Sequence, residues 1–412
     1  MSHTEVHRAP VEIIDPTFYA KHGPPHEAWS RLRREAPIAH CEAPGMLPFW
    51  AVTRYQDVVD ISRSPERFLN EPRLAVFPEE QFETGNLPVR HLINMDPPEH
   101  RAYRFLLSAH FTPRALETKR AAVAQLVDEI LSELPEGEPI DFVTEIAAVM
   151  PIAVIAEMLG LPREDRPLFF RWTNESIGAT DSEYQDGASV KETTARAVQA
   201  QIEYFARMVE ERRRKPTDDL IGLLANAKLD GKWIPDFELL SYLVLLVVAG
   251  NETTRNSASG GLLALLDNRG ELDRLRADPA LLKPAVEEMV RWQSPVNQFC
   301  RTPAKDVELH GQKIRAGENL CLFYGSANRD EEVFEDPFAF RIDRKPNRHI
   351  GFGIGEHVCL GAHLARLELQ ELFGALAQRL ERIEPAGPVE RLESSFISGI
   401  KHLPVRLELR AT

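Results

Sequence analysis

The sequence predicts a mainly α-helical fold with small β-sheets, an α+β arrangement, in a chain whose 412 residues are enough for one very large domain or two to three ordinary ones. Three observations point there. Helical apolar spacing recurs in segment after segment from Arg120 to Arg214, and again in Pro235 to Leu266 and Leu281 to Trp292. Short alternating or apolar stretches suited to strands occur only at Phe49 to Val52, between 299 and 324, and at Val405 to Leu409. No composition shift, flexible linker or internal repeat divides the chain.

Composition narrows the class. The 412 residues are 43% hydrophobic and 27% charged, an ordinary soluble globular balance. A net charge of −14 argues against a nucleic-acid binder or a membrane-surface protein. Met1 to Pro25 is polar and lacks the apolar core of a signal peptide or membrane anchor. The longest apolar run, Leu239 to Ala249, is interrupted by Ser241 and is too short to cross a bilayer, so it reads as a buried core helix. Cys41, Cys300, Cys321 and Cys359 are too far apart in sequence for a zinc or iron–sulfur motif, and a disulfide framework is not expected in so long a chain. A cytoplasmic protein with no electron-transfer cluster of its own is expected.

Taken in order, His26 to Glu35 is expected to be a helix, Phe49 to Val52 part of a β-hairpin, and Tyr55 to Arg63 a short helix. Residues 71–95 hold Pro72, Pro78, Gly85 and Pro88 and read as a long loop, a common place for function. Asp96 is the expected N-cap of the next helix, with Pro97 and Pro98 in its first turn. On that helix His100 and Arg104 share a face. Residues 101–120 hold five cations against one acid, Glu117. Gly160-Leu161-Pro162 should stop one helix, and Ser189 to Arg214 should form a long one after a polar break at 178–187.

Pro235 to Leu266 is the longest helical pattern, at about 1.5 Å per residue close to 50 Å. Its middle, Ala249-Gly250-Asn251-Glu252-Thr253-Thr254, puts a glycine, an acid and two threonines where a buried helix is expected to be apolar. A threonine bonding back to the preceding turn can distort the ladder, and a distortion near Gly250 is expected. Glu288 and Arg291 sit three apart in the next helix and can pair.

The most informative stretch is Gly351-Phe352-Gly353-Ile354-Gly355-Glu356-His357-Val358-Cys359-Leu360-Gly361. Three glycines in five residues allow close backbone approach and positive φ. A long helical pattern, Ala362 to Glu381, follows, so Cys359 stands at a helix N-terminus, which favours the thiolate. Phe352 can stack on a flat partner. No lysine follows the glycines as in a P-loop, and no βαβ unit precedes them. A thiolate, a close backbone and a ring together suggest an axial ligand to haem iron.

Phe352, Gly355, Cys359 and Gly361 form Phe-x-x-Gly-x-x-x-Cys-x-Gly, which resembles the haem-binding loop of the cytochrome P450 family. His100-x-x-x-Arg104, Ala249-Gly-x-Glu252-Thr253-Thr254 and Glu288-x-x-Arg291 precede it in the order that family has, over essentially the whole chain. The resemblance implies a soluble bacterial-type fold, a single large domain over residues 1–412, with haem b between a long central helix and the cysteine-loop helix.

It also implies roles. Cys359 would be the axial thiolate and metal ligand. His100, Arg104, Arg301 and His357 would pair with the haem propionates, with Phe352 and Gly361 beside the ring. Glu288 and Arg291 would support the cysteine loop, and Glu252 and Thr253 would be the acid–alcohol pair of proton delivery. The family often completes the Glu–Arg network with an arginine where this chain has Ala339, leaving Arg341 or Arg344 as substitutes.

The implied activity is a monooxygenase that uses O2 and two electrons from an external ferredoxin and its reductase to hydroxylate a hydrophobic small molecule. The basic residues near 101–120 and 341–366 would form the docking face for an acidic ferredoxin. Leu92, Leu245, Val248, Ala249, Val296, Asn297, Phe299, Phe396 and Ile397 would line the substrate pocket. Steroid-, terpenoid- or fatty acid-like substrates are the expected classes. A non-turnover haem carrier or gas sensor and a peroxide-driven haem enzyme are the alternatives.

Overall fold

The structure is a computed structural model that describes residues 6–76, 90–135, 137–185 and 187–410. Residues 77–89 of the expected 71–95 loop lie outside the described residues.

One helix, Asp236–Asp267, forms the axis of the fold. By length and apolarity it could cross a membrane. It is instead enclosed by the helices Val149–Leu159, Arg166–Ile177, Val190–Arg214, Leu282–Gln293 and Ala362–Arg379. Its residues enter two separate cores. Leu262, Leu265 and Leu266 pack with the cysteine-loop helix and the 282–293 helix, while Leu239, Leu243 and Val247 pack with the 149–159, 166–177 and 190–214 helices. Each fully buried leucine contributes about 2 kcal/mol of transfer free energy, which outweighs the weak helix preference of the Gly250–Thr254 stretch.

That balance explains one departure from expectation. The central helix runs unbroken through Gly250. Thr253 does bond back to the Ala249 carbonyl, at 2.9 Å, but packing from all sides holds the ladder intact.

The helix ends follow their residues. Gly160 takes φ 71° after Leu159. Ser189 and Glu192 cap the 190–214 helix reciprocally, at 3.2 and 2.9 Å. Asp96 departs from expectation. Its carboxylate accepts the Asn70 and Glu71 N–H groups at 2.8 and 3.2 Å, and the helix Glu99–Ser108 starts after Pro98 with no side-chain cap. Loop amides with no ladder partner captured the carboxylate first.

The strands form small sheets beside the helices. In the largest, Ile38–Cys41, Phe49–Val52, Leu320–Phe323, Gln298–Pro303 and Phe68–Leu69 lie in that order, all neighbours antiparallel except 320–323 on 49–52. A second sheet joins Leu380–Pro385, Pro404–Leu409 and Pro139–Asp141, tying the C-terminal strand to mid-chain.

Candidate active site

A cavity of about 1010 Å³ lies between the central helix and the cysteine loop. On one side are Phe352, Gly353, His357, Cys359 and Gly361. On the other are Leu245, Val248, Ala249, Gly250, Glu252 and Thr253. The two longest-range motifs of the sequence therefore face one space.

The loop holds its shape through its backbone. Cys359 N–H donates to the Phe352 carbonyl at 2.8 Å. Gly353 and Gly355 take φ 70° and 82°, and a Cβ on Gly355 would collide with the Ser62 carbonyl. The Arg366 guanidinium lies 4.3 Å over the Phe352 ring. Cys359 is open to the cavity yet ringed by protein. That enclosure raises its thiol pKa, opposed by the Gly361 N–H and by Arg104 and Arg366. The helix-start argument alone expected a lowered pKa. Desolvation outweighs it here, so a full thiolate calls for a further positive partner such as a metal ion.

Four expected residues gather at the cavity edge. His100 is buried, and neither of its ring nitrogens has a partner among the described residues. Its ring stacks on His357 with centroids 3.9 Å apart, and His357 Nε2 meets Asn70 Nδ2 at 2.8 Å. Burial, reinforced by Arg104, pushes His100 down to about 4. Burial also pushes His357 well down, reinforced by His100, Arg301 and Arg104. Arg104 and Arg301 line the cavity, and neither has a carboxylate partner among the described residues. Cations without a carboxylate partner and the unbonded imidazole of His100 at one edge suit a ligand that carries carboxylates.

Across the cavity, Thr253 donates its hydroxyl proton to Ala249 O and leaves its lone pairs free. Glu252 is 2% exposed. Its Oε2 pairs with Arg255, while Oε1 has no partner among the described residues. Burial raises this carboxyl's pKa, and Arg255 and Asn256 oppose the rise. Arg255 also donates to Asn174 of the 166–177 helix. Sequence reasoning missed Arg255, although its i+3 spacing from Glu252 was a readable signal.

Glu288 and Arg291 lie outside the cavity, fully buried, joined by two bonds of 2.7 Å. The place of the missing arginine at Ala339 is taken by Arg344. Its Nε meets both Glu288 oxygens at 3.1 Å, and its other nitrogens donate to the carbonyls of Glu335, Asp336 and Ala339. Arg341 offers Glu288 only its backbone N–H, at 3.0 Å.

Leu92, Leu245, Val248, Ala249, Val296, Phe299, Phe396 and Ile397 all line the cavity as expected. Asn297 does not. Its backbone N–H bonds the Phe396 carbonyl and its own carbonyl accepts from Tyr324, so the side chain is buried toward Gly325. Its neighbour Val296, bridged to Ile397, lines the cavity instead.

The basic surface is thinner than its composition suggested. Arg101 pairs with Glu356, Arg120 with Glu117 and Glu371, and Arg366 with Glu287, while Arg344 is buried. Arg114, Lys345 and Arg348 remain exposed without an ion pair among the described residues.

The sequence pattern of the cytochrome P450 family matches residues 16–407. This chain belongs to the cytochrome P450 family. It is 38% identical over 394 residues to a steroid C26-monooxygenase of Mycolicibacterium smegmatis, covering 92% of this chain and 90% of that one. It is 38% identical over 416 residues to a methyl-branched lipid omega-hydroxylase of Mycobacterium bovis, covering 97% and 95%. Its fold matches the Mycobacterium marinum cytochrome P450 CYP268A2, solved in complex with pseudoionone. That match has a TM-score of 0.90 and 35% identity, over 98% of this chain and 100% of the other.

The expected fold class therefore holds, and this cytochrome P450 is an oxidoreductase of the monooxygenase type. Members of the family bind haem. The residues here fit such a group: a cysteine facing a large cavity, two guanidinium groups without carboxylates of their own, and a buried histidine with two unbonded nitrogens. Sequence reasoning also missed Glu368. It is buried on the cysteine-loop helix, lines the cavity, and is pushed up to about 8 by burial alone.

Proposed function

We propose that this cytochrome P450 is a haem b monooxygenase that takes electrons from a separate ferredoxin system and hydroxylates a steroid-, terpenoid- or fatty acid-like molecule. The observation that carries this reading is the single cavity that joins Cys359, the carboxylate-hungry edge and Thr253 to an apolar wall. Haem supplies the activation of O2 when bound.

The protein's part falls to named atoms. Cys359 Sγ is the proposed iron ligand. His100, Arg104, Arg301 and His357 hold the two propionates, whose negative charge would raise the histidines again from their depressed values. Thr253 Oγ1 offers lone pairs toward the oxygen side. Glu252 Oε1 is the proposed relay atom for protons; burial raises this carboxyl's pKa, which helps it take up a proton, while Arg255 holds its other oxygen. Glu288, Arg291 and Arg344 keep the approach to the cysteine loop rigid.

Leu245, Val248, Val296, Phe396 and Ile397 exclude water and accept hydrocarbon. Relatives named for a steroid C26 position and for the omega end of methyl-branched lipids support a hydrophobic, branched substrate. A separate electron donor is supported by the state of the other three cysteines, which are free and buried among apolar side chains in one core cluster.

The test is spectroscopic. Haem-loaded protein titrated with steroids, terpenoids and fatty acids should show displacement of an iron-bound water by one of these classes. Cys359→His should lose the thiolate band of the ferrous–CO complex. An unchanged band would move the ligand elsewhere, and no spectral response to any class would refute the substrate reading.

A further inference from the structure

Glu287 and Glu288 are neighbours on the helix Leu282–Gln293, yet they serve different segments. Glu288 holds Arg341, Arg344 and Asn347. Glu287 instead accepts from Arg366, whose Nε and Nη2 reach its two oxygens at 2.6 and 2.8 Å. His349 Nε2 meets one of those oxygens at 3.0 Å. His349 stands just before the cysteine loop and Arg366 just after it, on the helix Ala362–Arg379. One carboxylate therefore ties the two ends of the loop together.

The tie is specific in geometry. His349 Nδ1 accepts the Gly351 N–H at 3.2 Å, which leaves the ring proton on Nε2 for Glu287. The backbone there lies close to the 282–293 helix, and a Cβ on Gly351 would come within 2.8 Å of Val290 Cγ1. Arg366 grips Glu287 with two prongs and lies 4.3 Å over the Phe352 ring. The Phe352 carbonyl in turn accepts the Cys359 N–H at 2.8 Å. Contact runs without a break from Glu287 to the backbone of Cys359.

The same contacts balance charge. Burial alone would raise the Glu287 carboxyl, but Arg366 and His349 hold it down to about 2, so it stays ionised at neutral pH. Arg366 is a cation, and His349 with one ring proton is neutral. The Arg366 charge also reaches the Cys359 sulfur, behind the larger effects of burial, the Gly361 N–H and Arg104.

We propose that Glu287, Arg366 and His349 are positioning residues that hold the cysteine loop at both ends and balance charge behind its sulfur, and so set the reduction potential of the iron bound there. The inference rests on Cys359 being the iron ligand. It is separate from the Glu288 network, which supports residues 335–347.

The sign of the effect follows from electrostatics. Reduction adds an electron at the iron, so a positive charge left unbalanced nearby favours the reduced state and a negative one opposes it. A loop that is merely loosened carries no such sign.

The test is an equilibrium redox titration of haem-loaded protein. The thiolate band of the ferrous–CO complex and hydrogen exchange of residues 349–361 are measured beside it. Glu287→Gln should favour reduction about tenfold, a rise of about 59 mV for one electron. Arg366→Met should oppose reduction by a similar factor. The double variant, neutral again, should return to within about twofold of wild type. His349→Leu removes a tie but no charge, so it should raise exchange of 349–361 about tenfold and leave the potential within about twofold. Glu287→Asp and Arg366→Lys, which keep the charges, should stay near the wild-type potential. The proposal falls if Glu287→Gln and Arg366→Met move the potential in the same direction, or if each changes the equilibrium less than twofold. It falls equally if exchange of 349–361 is unchanged in all three single variants that remove a tie, which would make these residues surface contacts only. Should a charge variant fail to hold haem, the double variant decides: recovery of haem and potential supports the balance, and no recovery overturns it. If the wild type shows no thiolate band, the reading of Cys359 fails and the claim about potential falls with it, while hydrogen exchange still decides whether the three residues order the loop.

Discussion

Arg344→Met tests how the cysteine loop is supported. Arg344 is 3% exposed and meets both oxygens of the fully buried Glu288. It also donates to three backbone carbonyls, of Glu335, Asp336 and Ala339. Removing it leaves Glu288 still paired with Arg291, so the cost stays near the lower end for a broken buried pair, about 3 kcal/mol. Three lost bonds at about 1 kcal/mol each give the same size. With an unfolding entropy of about 2.1 cal/mol/K per residue over 412 residues, this lowers Tm by roughly 3 °C. Because the loss is concentrated at 335–350, local opening there should rise about a hundredfold, since 1.4 kcal/mol is about a factor of ten. The assay is hydrogen exchange of peptides in that segment, with thermal unfolding beside it. Arg341→Met is the control. Its side chain lies 3.7 and 3.9 Å from Glu335 and Asp336 at the surface, so it should cost well under about 1 kcal/mol. If Arg341→Met loosens the segment and Arg344→Met does not, the assignment of the replacement arginine is wrong.

Other outcomes are expected. Thr253→Ala should keep haem bound but divert reducing equivalents to hydrogen peroxide, and unchanged product per NADH would remove Thr253 from proton delivery. Charge reversal at Arg114 and Lys345, which are exposed and unpaired among the described residues, should slow reduction by a ferredoxin and flatten its salt dependence. No change in either would place docking elsewhere. Glu368 binds its proton up to about 8 when folded against about 4.5 when unfolded, so the fold loses stability as pH rises between those values. By pH 8 the loss is about 4 kcal/mol, so Glu368→Gln should match wild type near pH 5 and exceed it in denaturant midpoint near pH 8. Parallel pH profiles would contradict this.

The sequence was legible where local chemistry is self-sufficient. Helix spacing, the Gly160 stop and the Ser189 cap depend on a few neighbouring residues, and the folded chain keeps them. The Cys359 loop was legible for the same reason, since its glycines and its close follow-on helix are properties of one short stretch. Where burial or competition from distant groups decides, local reading fell short. Asp96 was taken by the amides of Asn70 and Glu71, and the helix runs unbroken through Gly250 within its packed surroundings. Several expected surface cations were claimed by acids far away in sequence.

By itself, then, the sequence determined the helical framework, the cysteine loop and most of the residues that line the cavity between that loop and the central helix. Only the tertiary structure decided that Arg344 and not Arg341 completes the Glu288 network, that Asn297 faces away from the cavity, and that Glu252 is bound to Arg255. It alone brought Arg366 and His349 onto Glu287. The physical reason is common to all four. Each depends on where a charged or polar group finds its partner once water is removed, and that partner is chosen by the packing of whole elements.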